Sequence, residues 1–64
     1  MLTINGEKYL VEKEMSRLFG LSIHWFRRAR YEGRSPVYHK LNGKVYYNEA
    51  EVNDWFKTNM TLHK

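Results

Sequence analysis

The sequence predicts an α+β fold for this chain of 64 residues, with three helices and a β-hairpin between the second and the third. Three observations lead to this prediction: two amphipathic stripes separated by a short glycine-containing segment, an Asn-Gly pair between two half-apolar runs, and a strong capping sequence before the last stripe. A chain of this length forms one domain, residues 1–64. We expect its ordered core at about residues 8–59.

The first amphipathic stripe predicts a helix over residues 11–19. Its apolar side chains follow the i, i+4, i+7, i+8 spacing of one helix face: Val11, Met15, Leu18 and Phe19. Gly20 ends the helix, because glycine readily takes the left-handed conformation that follows a last turn. Upstream, the segment LTINGEKYL at residues 2–10 fits either a hairpin around its Asn-Gly pair or a single strand.

The second stripe predicts a helix that starts after Ser22 and ends near Gly33. Ser22 is a good N-cap, and the link between the two helices is so short that they meet at a steep angle, as in a helix-turn-helix corner. Phe26 and Ala29 then face the core. Four residues are left for the opposite side of this helix: Ile23, His24, Arg27 and Arg28.

A hairpin is predicted around Asn42-Gly43, because both residues of a type I′ turn need a positive φ. A two-residue loop fixes the register of the two strands. This register places some side chains, including Tyr47, on an apolar face and the others on a solvent-facing side. The last helix begins after Asn48, with Glu51 placed as in a capping box, and runs to about residue 59.

Positive charge is concentrated in the middle of the chain. The formal charge is +4, but residues 22–44 alone hold six basic residues against one acid, whereas acids are in slight excess elsewhere. The six are Arg27, Arg28, Arg30, Arg34, Lys40 and Lys44. We expect no acidic neighbour on the helix to neutralise Arg27 or Arg28. A concentrated basic face is what a polyanion-binding protein needs.

The order of these elements resembles a known family. The motifs that carry the resemblance are YL at residues 9–10, which opens the first helix in the family pattern, GLS at residues 20–22, EGRSP at residues 32–36, LNGKVYY at residues 41–47 and EVNDW at residues 51–55. Together they resemble the excisionase/AlpA-like group of phage and mobile-element regulators, a small winged helix-turn-helix branch related to MerR-type domains. The chain departs from the family pattern at Ile23, Trp25 and Ala29.

The resemblance implies sequence-specific binding of double-stranded DNA, with the second helix in the major groove and the hairpin as a wing on a neighbouring groove or on the backbone. Arginine suits both guanine edges and phosphates. The expected DNA-binding residues are Ser22, Ile23, His24, Arg27, Arg28, Arg30, Arg34, Lys40, Asn42 and Lys44. The implied role is that of an excisionase-like recombination directionality factor or a transcription regulator.

Other classes of function have little support in the sequence. The chain has no cysteine, no glycine-rich phosphate loop and no metal-ligand spacing among His24, His39 and His63, so we expect neither an enzyme nor a cofactor or metal. No apolar run approaches the roughly 20 residues of a membrane span, and no signal-peptide pattern opens the chain. We therefore expect a cytoplasmic protein without a membrane partner.

A rival hypothesis is a protein-interaction module. Four residues would form its apolar patch: Ile23, Trp25, Leu41 and Tyr46. An integrase or an RNA polymerase subunit is the kind of partner that the resemblance implies. On DNA, we expect two or more copies to associate cooperatively on repeated half-sites, because one such module buries only about 600–1,000 Å².

Overall fold

The computed structural model describes residues 1–60 and consists of three α-helices and four β-strands. In chain order these elements are β1 (Leu2–Ile4), β2 (Glu7–Leu10), α1 (Glu12–Phe19), α2 (Ile23–Tyr31), β3 (His39–Leu41), β4 (Lys44–Asn48) and α3 (Glu49–Asn59). The predicted α+β class and the three helices are confirmed. The hairpin between α2 and α3 is also present, but it belongs to a larger sheet.

The sheet is antiparallel, with the strand order β1-β2-β4-β3. Two hairpins build it, and both turn on an Asn-Gly pair with positive φ at each residue, Asn5-Gly6 and Asn42-Gly43. Of the two alternatives for residues 2–10, a hairpin or a single strand, the structure has the hairpin. The two hairpins are joined by a short ladder that pairs Tyr9 with Asn48 and Leu10 with Tyr47. The expectation that Tyr9 and Leu10 open the first helix is therefore wrong, because their backbones are strand partners of β4.

The ends of the helices follow local capping chemistry. Gly20 takes the left-handed conformation after α1, at φ 69° and ψ 23°. The Asn48 side chain accepts a hydrogen bond from the Glu51 backbone N–H over 3.0 Å and so caps α3. The reciprocal half of the predicted capping box is missing, because the Glu51 carboxylate lies 2.8 Å from His39 Nε2 on β3 instead. This contact ties the hairpin to the first turn of α3.

The core lies between the sheet and the three helices. Its buried side chains come from every layer: Leu10, Met15, Phe26, Ala29, Tyr47 and Val52. Burying an aromatic or aliphatic side chain of this size contributes about 1.5–3 kcal/mol. Leu18 is 52% exposed, so its predicted place in the inner stripe of α1 is wrong. It lies beside an open groove with Met1 and Arg17 rather than in the core.

Candidate nucleic-acid interface

The segment between α1 and α2 is held by two side-chain hydrogen bonds. The Ser16 hydroxyl donates to the backbone carbonyl of Leu21. The backbone N–H of Trp25 donates to Ser22 Oγ over 3.0 Å, which confirms Ser22 as the N-cap of α2. These contacts set where α2 leaves α1. Ser22 Oγ already accepts the capping hydrogen bond. The donors at this end of α2 that are available to an anion are therefore the free backbone N–H groups of the first turn.

α2 presents an exposed stripe away from the core. His24, Arg27 and Arg28 are exposed, whereas Ile23 is half-buried. Tyr31 lies seven residues after His24, on the same helix face, and is 92% exposed. Tyr31 was missed by the sequence prediction, although its spacing from His24 was a usable signal. The outward surface of α2 therefore combines a histidine, two arginines and a tyrosine.

Glu12 at the start of α1 holds two arginines of α2. Its Oε1 atom accepts from Arg27 Nε at 2.9 Å and lies 2.8 Å from Arg27 Nη2. Its Oε2 atom accepts from Arg30 Nη2 at 3.0 Å. Arg30 also donates to the Tyr47 hydroxyl over 2.6 Å, and its guanidinium lies 6.0 Å from the centre of the Tyr47 ring. Glu12 therefore joins α1 to α2, and Arg30 extends this link to β4.

The two arginines on Glu12 differ in exposure. The Arg30 side chain is 18% exposed and that of Arg27 is 59% exposed. Burial disfavours ionisation of Glu12, but the hydrogen bonds from Arg27 and Arg30 outweigh this and lower its pKa. Burial likewise opposes the charge of Arg30, and the bonds to Tyr47 and Glu12 raise its pKa. Arg30 is thus a charged structural residue, whereas Arg27 has a guanidinium that an incoming anion can reach.

A second carboxylate, Glu32, holds two more of the predicted DNA-binding arginines, Arg28 and Arg34. Arg28 Nε donates to Glu32 Oε2 at 3.2 Å, and Arg34 Nη2 donates to Glu32 Oε1. The hydrogen bonds from Arg34 and Arg28 lower the pKa of Glu32. The expectation that no acidic neighbour neutralises Arg27 or Arg28 is wrong. Glu32 lies one helical turn after Arg28, and Glu12 reaches Arg27 from another helix.

The tip of the β3–β4 hairpin lies beside α1 and α2. Gly43 and Lys44 line a groove of about 350 Å³ together with Lys13 of α1 and Arg30 of α2. Glu12, the partner of Arg27, lines the same groove. The Lys44 ammonium is 5.9 Å from the centre of the Tyr46 ring. The structure thus brings a predicted cation of the hairpin, Lys44, next to Glu12 of α1 and its partner Arg30 of α2. Asn42 is exposed in the adjoining turn.

The remaining predicted residues lie elsewhere on the surface. Lys40 lines a groove on the sheet with Leu41 and Tyr46. Trp25 lines a different groove, between α2 and α3. The four residues of the rival apolar patch therefore do not line one common groove.

Within residues 1–60 no three His, Asp or Glu side chains are grouped to hold a metal ion. His39 pairs with Glu51, and His63 lies outside the described residues. Over the same residues no helix has both the length and the apolar composition needed to cross a membrane.

Comparison with models of known protein families, with characterised proteins and with solved structures finds no match to this chain. The geometry of the site, and the resemblance of its motifs, are therefore the basis for a proposal about function.

Proposed function

We propose that this chain is a small winged helix-turn-helix protein that binds duplex DNA, with α2 in the major groove and the β3–β4 hairpin as the wing. The observation that carries the proposal is the groove at which Lys44 of the hairpin tip meets Arg30 of α2 and Glu12, the partner of Arg27. Cationic side chains from two consecutive structural elements adjoin there. By the family resemblance, the biological role is excisionase-like recombination directionality or transcriptional regulation of a mobile element.

The exposed stripe of α2 suits a helix lying in a groove. α2 has 9 residues and is therefore about 13.5 Å long, and the diameter of a helix with its side chains, about 10–12 Å, matches a major groove about 12 Å wide. His24 and Tyr31 lie along the middle of the stripe, with Arg27 on one side and Arg28 on the other. Arginines on both flanks of a groove-bound helix face the phosphates of both strands, while the middle of the stripe faces base edges.

Binding exchanges internal carboxylates for phosphates. The side chains of Arg27, Arg28 and Arg34 are 59%, 80% and 76% exposed, so solvent screens their ion pairs with glutamate. Such pairs open at little cost. Arg30 is the exception, because its pair is largely buried. We propose the exposed arginines and Lys44 at the hairpin tip as the phosphate contacts.

The salt dependence of binding to a duplex tests this function. Binding by about four to six phosphate contacts gives a slope of log affinity against log salt of about −4 to −5. The variant with Arg27→Ala and Arg28→Ala should lose most of the binding and have a slope shallower by about 1.8. The matched control, Arg17→Ala with Lys57→Ala, removes the same charge from α1 and α3 and should retain the slope.

An apolar protein-interaction module is the second candidate. It is favoured by one observation, the exposed side chains on the outer face of the sheet, where Ile4 is 48% exposed and Leu41 is 50% exposed. These two residues line a groove with Tyr46. An integrase or polymerase subunit held there would bind with almost no salt dependence, since no phosphate-bound counterions are released. A normal shift of duplex DNA by the double arginine variant would instead show that the assignment of α2 to the major groove is wrong.

A further inference from the structure

A groove on the side of α2 away from the hairpin tip shares Arg28 and Arg34 with the proposed DNA contacts but has an apolar lining as well. It lies between α2 and α3 and has a volume of about 550 Å³. Trp25, Ala29 and Trp55 supply apolar lining, and Arg28, Glu32 and Arg34 supply charged lining. Both tryptophans of the chain line this groove.

The aromatic lining is braced by the core. The Trp25 ring lies 5.8 Å from the Phe56 ring, and the Trp55 ring packs edge-on against Phe56 at 5.2 Å between centroids. Trp25 also packs edge-on against buried Phe26 at 5.0 Å. Side chains held in this way lose little conformational freedom when a ligand covers them, which favours binding.

The charged lining already holds a carboxylate. Arg28 and Arg34 both donate to Glu32, so two guanidinium groups share one acidic partner and leave a local excess of one positive charge. Within residues 1–60, Arg28 donates to Glu32 through Nε. A guanidinium has five N–H donors, so the Nη side of Arg28 is open to a second carboxylate.

We propose that this groove binds an acidic peptide segment of a partner protein, with an apolar side chain on Trp25 and Trp55 and a carboxylate on Arg28 and Arg34. The carboxylate would share the two arginines with Glu32, and the apolar side chain would cover indole surface that is otherwise in contact with water. Duplex DNA neutralises arginines as well, but it has no apolar side chain to fill a groove between two helices. An acidic peptide complements both parts of the lining.

Tryptophan fluorescence and the two indole N–H signals in NMR spectra report directly on this groove. The probe is a capped peptide, Asp-Asp-Leu-Phe-Asp-Glu, added to the full chain without DNA up to millimolar concentration. We expect a shift of both indole signals and of the emission maximum. Two control peptides should bind far more weakly: Asn-Asn-Leu-Phe-Asn-Gln, which lacks the charge, and Asp-Asp-Ala-Ala-Asp-Glu, which lacks the apolar side chains.

Protein variants separate this groove from general electrostatic attraction. Arg28→Ala with Arg34→Ala should weaken peptide binding by at least about fivefold, because two ion pairs are lost. Arg17→Ala with Lys57→Ala removes the same charge elsewhere and should leave the affinity within about twofold. Equal binding of the charged and uncharged peptides, equal binding by the two variants, or no change at either indole would overturn the proposal. These measurements contain no DNA, so their outcome does not depend on whether the chain binds DNA.

Discussion

Replacing Arg30 by alanine should destabilise the fold as a whole. The Arg30 side chain is 18% exposed and donates to the Tyr47 hydroxyl at 2.6 Å and to Glu12 at 3.0 Å. Alanine would leave a buried hydroxyl and a partly buried carboxylate without this donor. A hydrogen bond to a charged group contributes about 1.5–3 kcal/mol, so for two bonds with partial solvent screening we expect a loss of about 2–4 kcal/mol of unfolding free energy.

Arg27→Ala is the matched control, because Arg27 binds the same carboxylate, Glu12, but is 59% exposed. It should cost less than about 1 kcal/mol. Urea denaturation followed by far-UV circular dichroism measures both variants. A chain of this size has a total stability of about 3–10 kcal/mol, and Arg30→Ala should lower the Tm by about 10 °C or more. Equal destabilisation by the two variants would refute the structural role assigned to Arg30.

Three further predictions concern Glu12, Glu32 and Gly43. The pKa of Glu12 in the folded chain is lowered from its ordinary value of 4.5. The ionised Glu12 carboxylate therefore stabilises the fold fully above pH 4.5, and this stabilisation is lost as the pH falls through the lowered pKa. Glu12→Gln should remove this part of the acid dependence of urea unfolding. Glu32→Gln releases Arg28 and Arg34, so in an anisotropy titration it should tighten duplex binding several-fold at low salt and steepen the salt slope by about 1. The control Glu7→Gln makes the same charge change on β2 and should change the affinity and the slope less. Gly43→Ala should cost about 1–2 kcal/mol in urea unfolding, because φ is +78° and an added Cβ meets nothing within 4 Å, so backbone strain acts alone; D-alanine at this position of a synthetic chain should restore stability.

Each of these predictions has a result that contradicts it. An unchanged acid dependence in Glu12→Gln would show that the Arg27 and Arg30 contacts do not stabilise the ionised form. If the Glu32 and Glu7 variants bind DNA with equal affinity, the change in net charge, and not the release of the two arginines, causes the tighter binding. If D-alanine and L-alanine at residue 43 destabilise the chain equally, a positive φ is not what this turn requires.

The local features of the fold are readable from short sequence signals. The Ser22 cap, the Asn42-Gly43 turn and the Asn48 cap each depend on one or two side chains acting on their own backbone neighbours. Such interactions have the same geometry in most proteins, so the bounds of α2, the register of β3 with β4 and the start of α3 were predictable. They also place His24, Arg27 and Arg28 on the exposed side of α2.

Apart from the pairs of Glu32 with Arg28 and Arg34, whose short spacing was readable from the sequence, the interactions that the sequence prediction missed join distant parts of the chain. The ladder between β2 and β4 pairs Tyr9 with Asn48 and depends on how two hairpins come together around the core. Glu12 accepts hydrogen bonds from Arg27 and Arg30, which lie 15 and 18 positions later in the sequence. No helical spacing predicts these contacts. Leu18 fits an amphipathic stripe, but its exposure depends on what α1 packs against. Tertiary context decides each of these cases.

Chemical-shift mapping of the ¹⁵N-labelled chain with duplex DNA tests the proposed interface most directly. We predict that the largest shifts occur at His24 and Arg27 on α2 and at Gly43 and Lys44 in the hairpin tip, and that added salt reverses them together. Shifts confined to the outer face of the sheet around Leu41, or an absence of shifts at saturating DNA, would contradict the proposal that α2 and the hairpin form one DNA-binding surface.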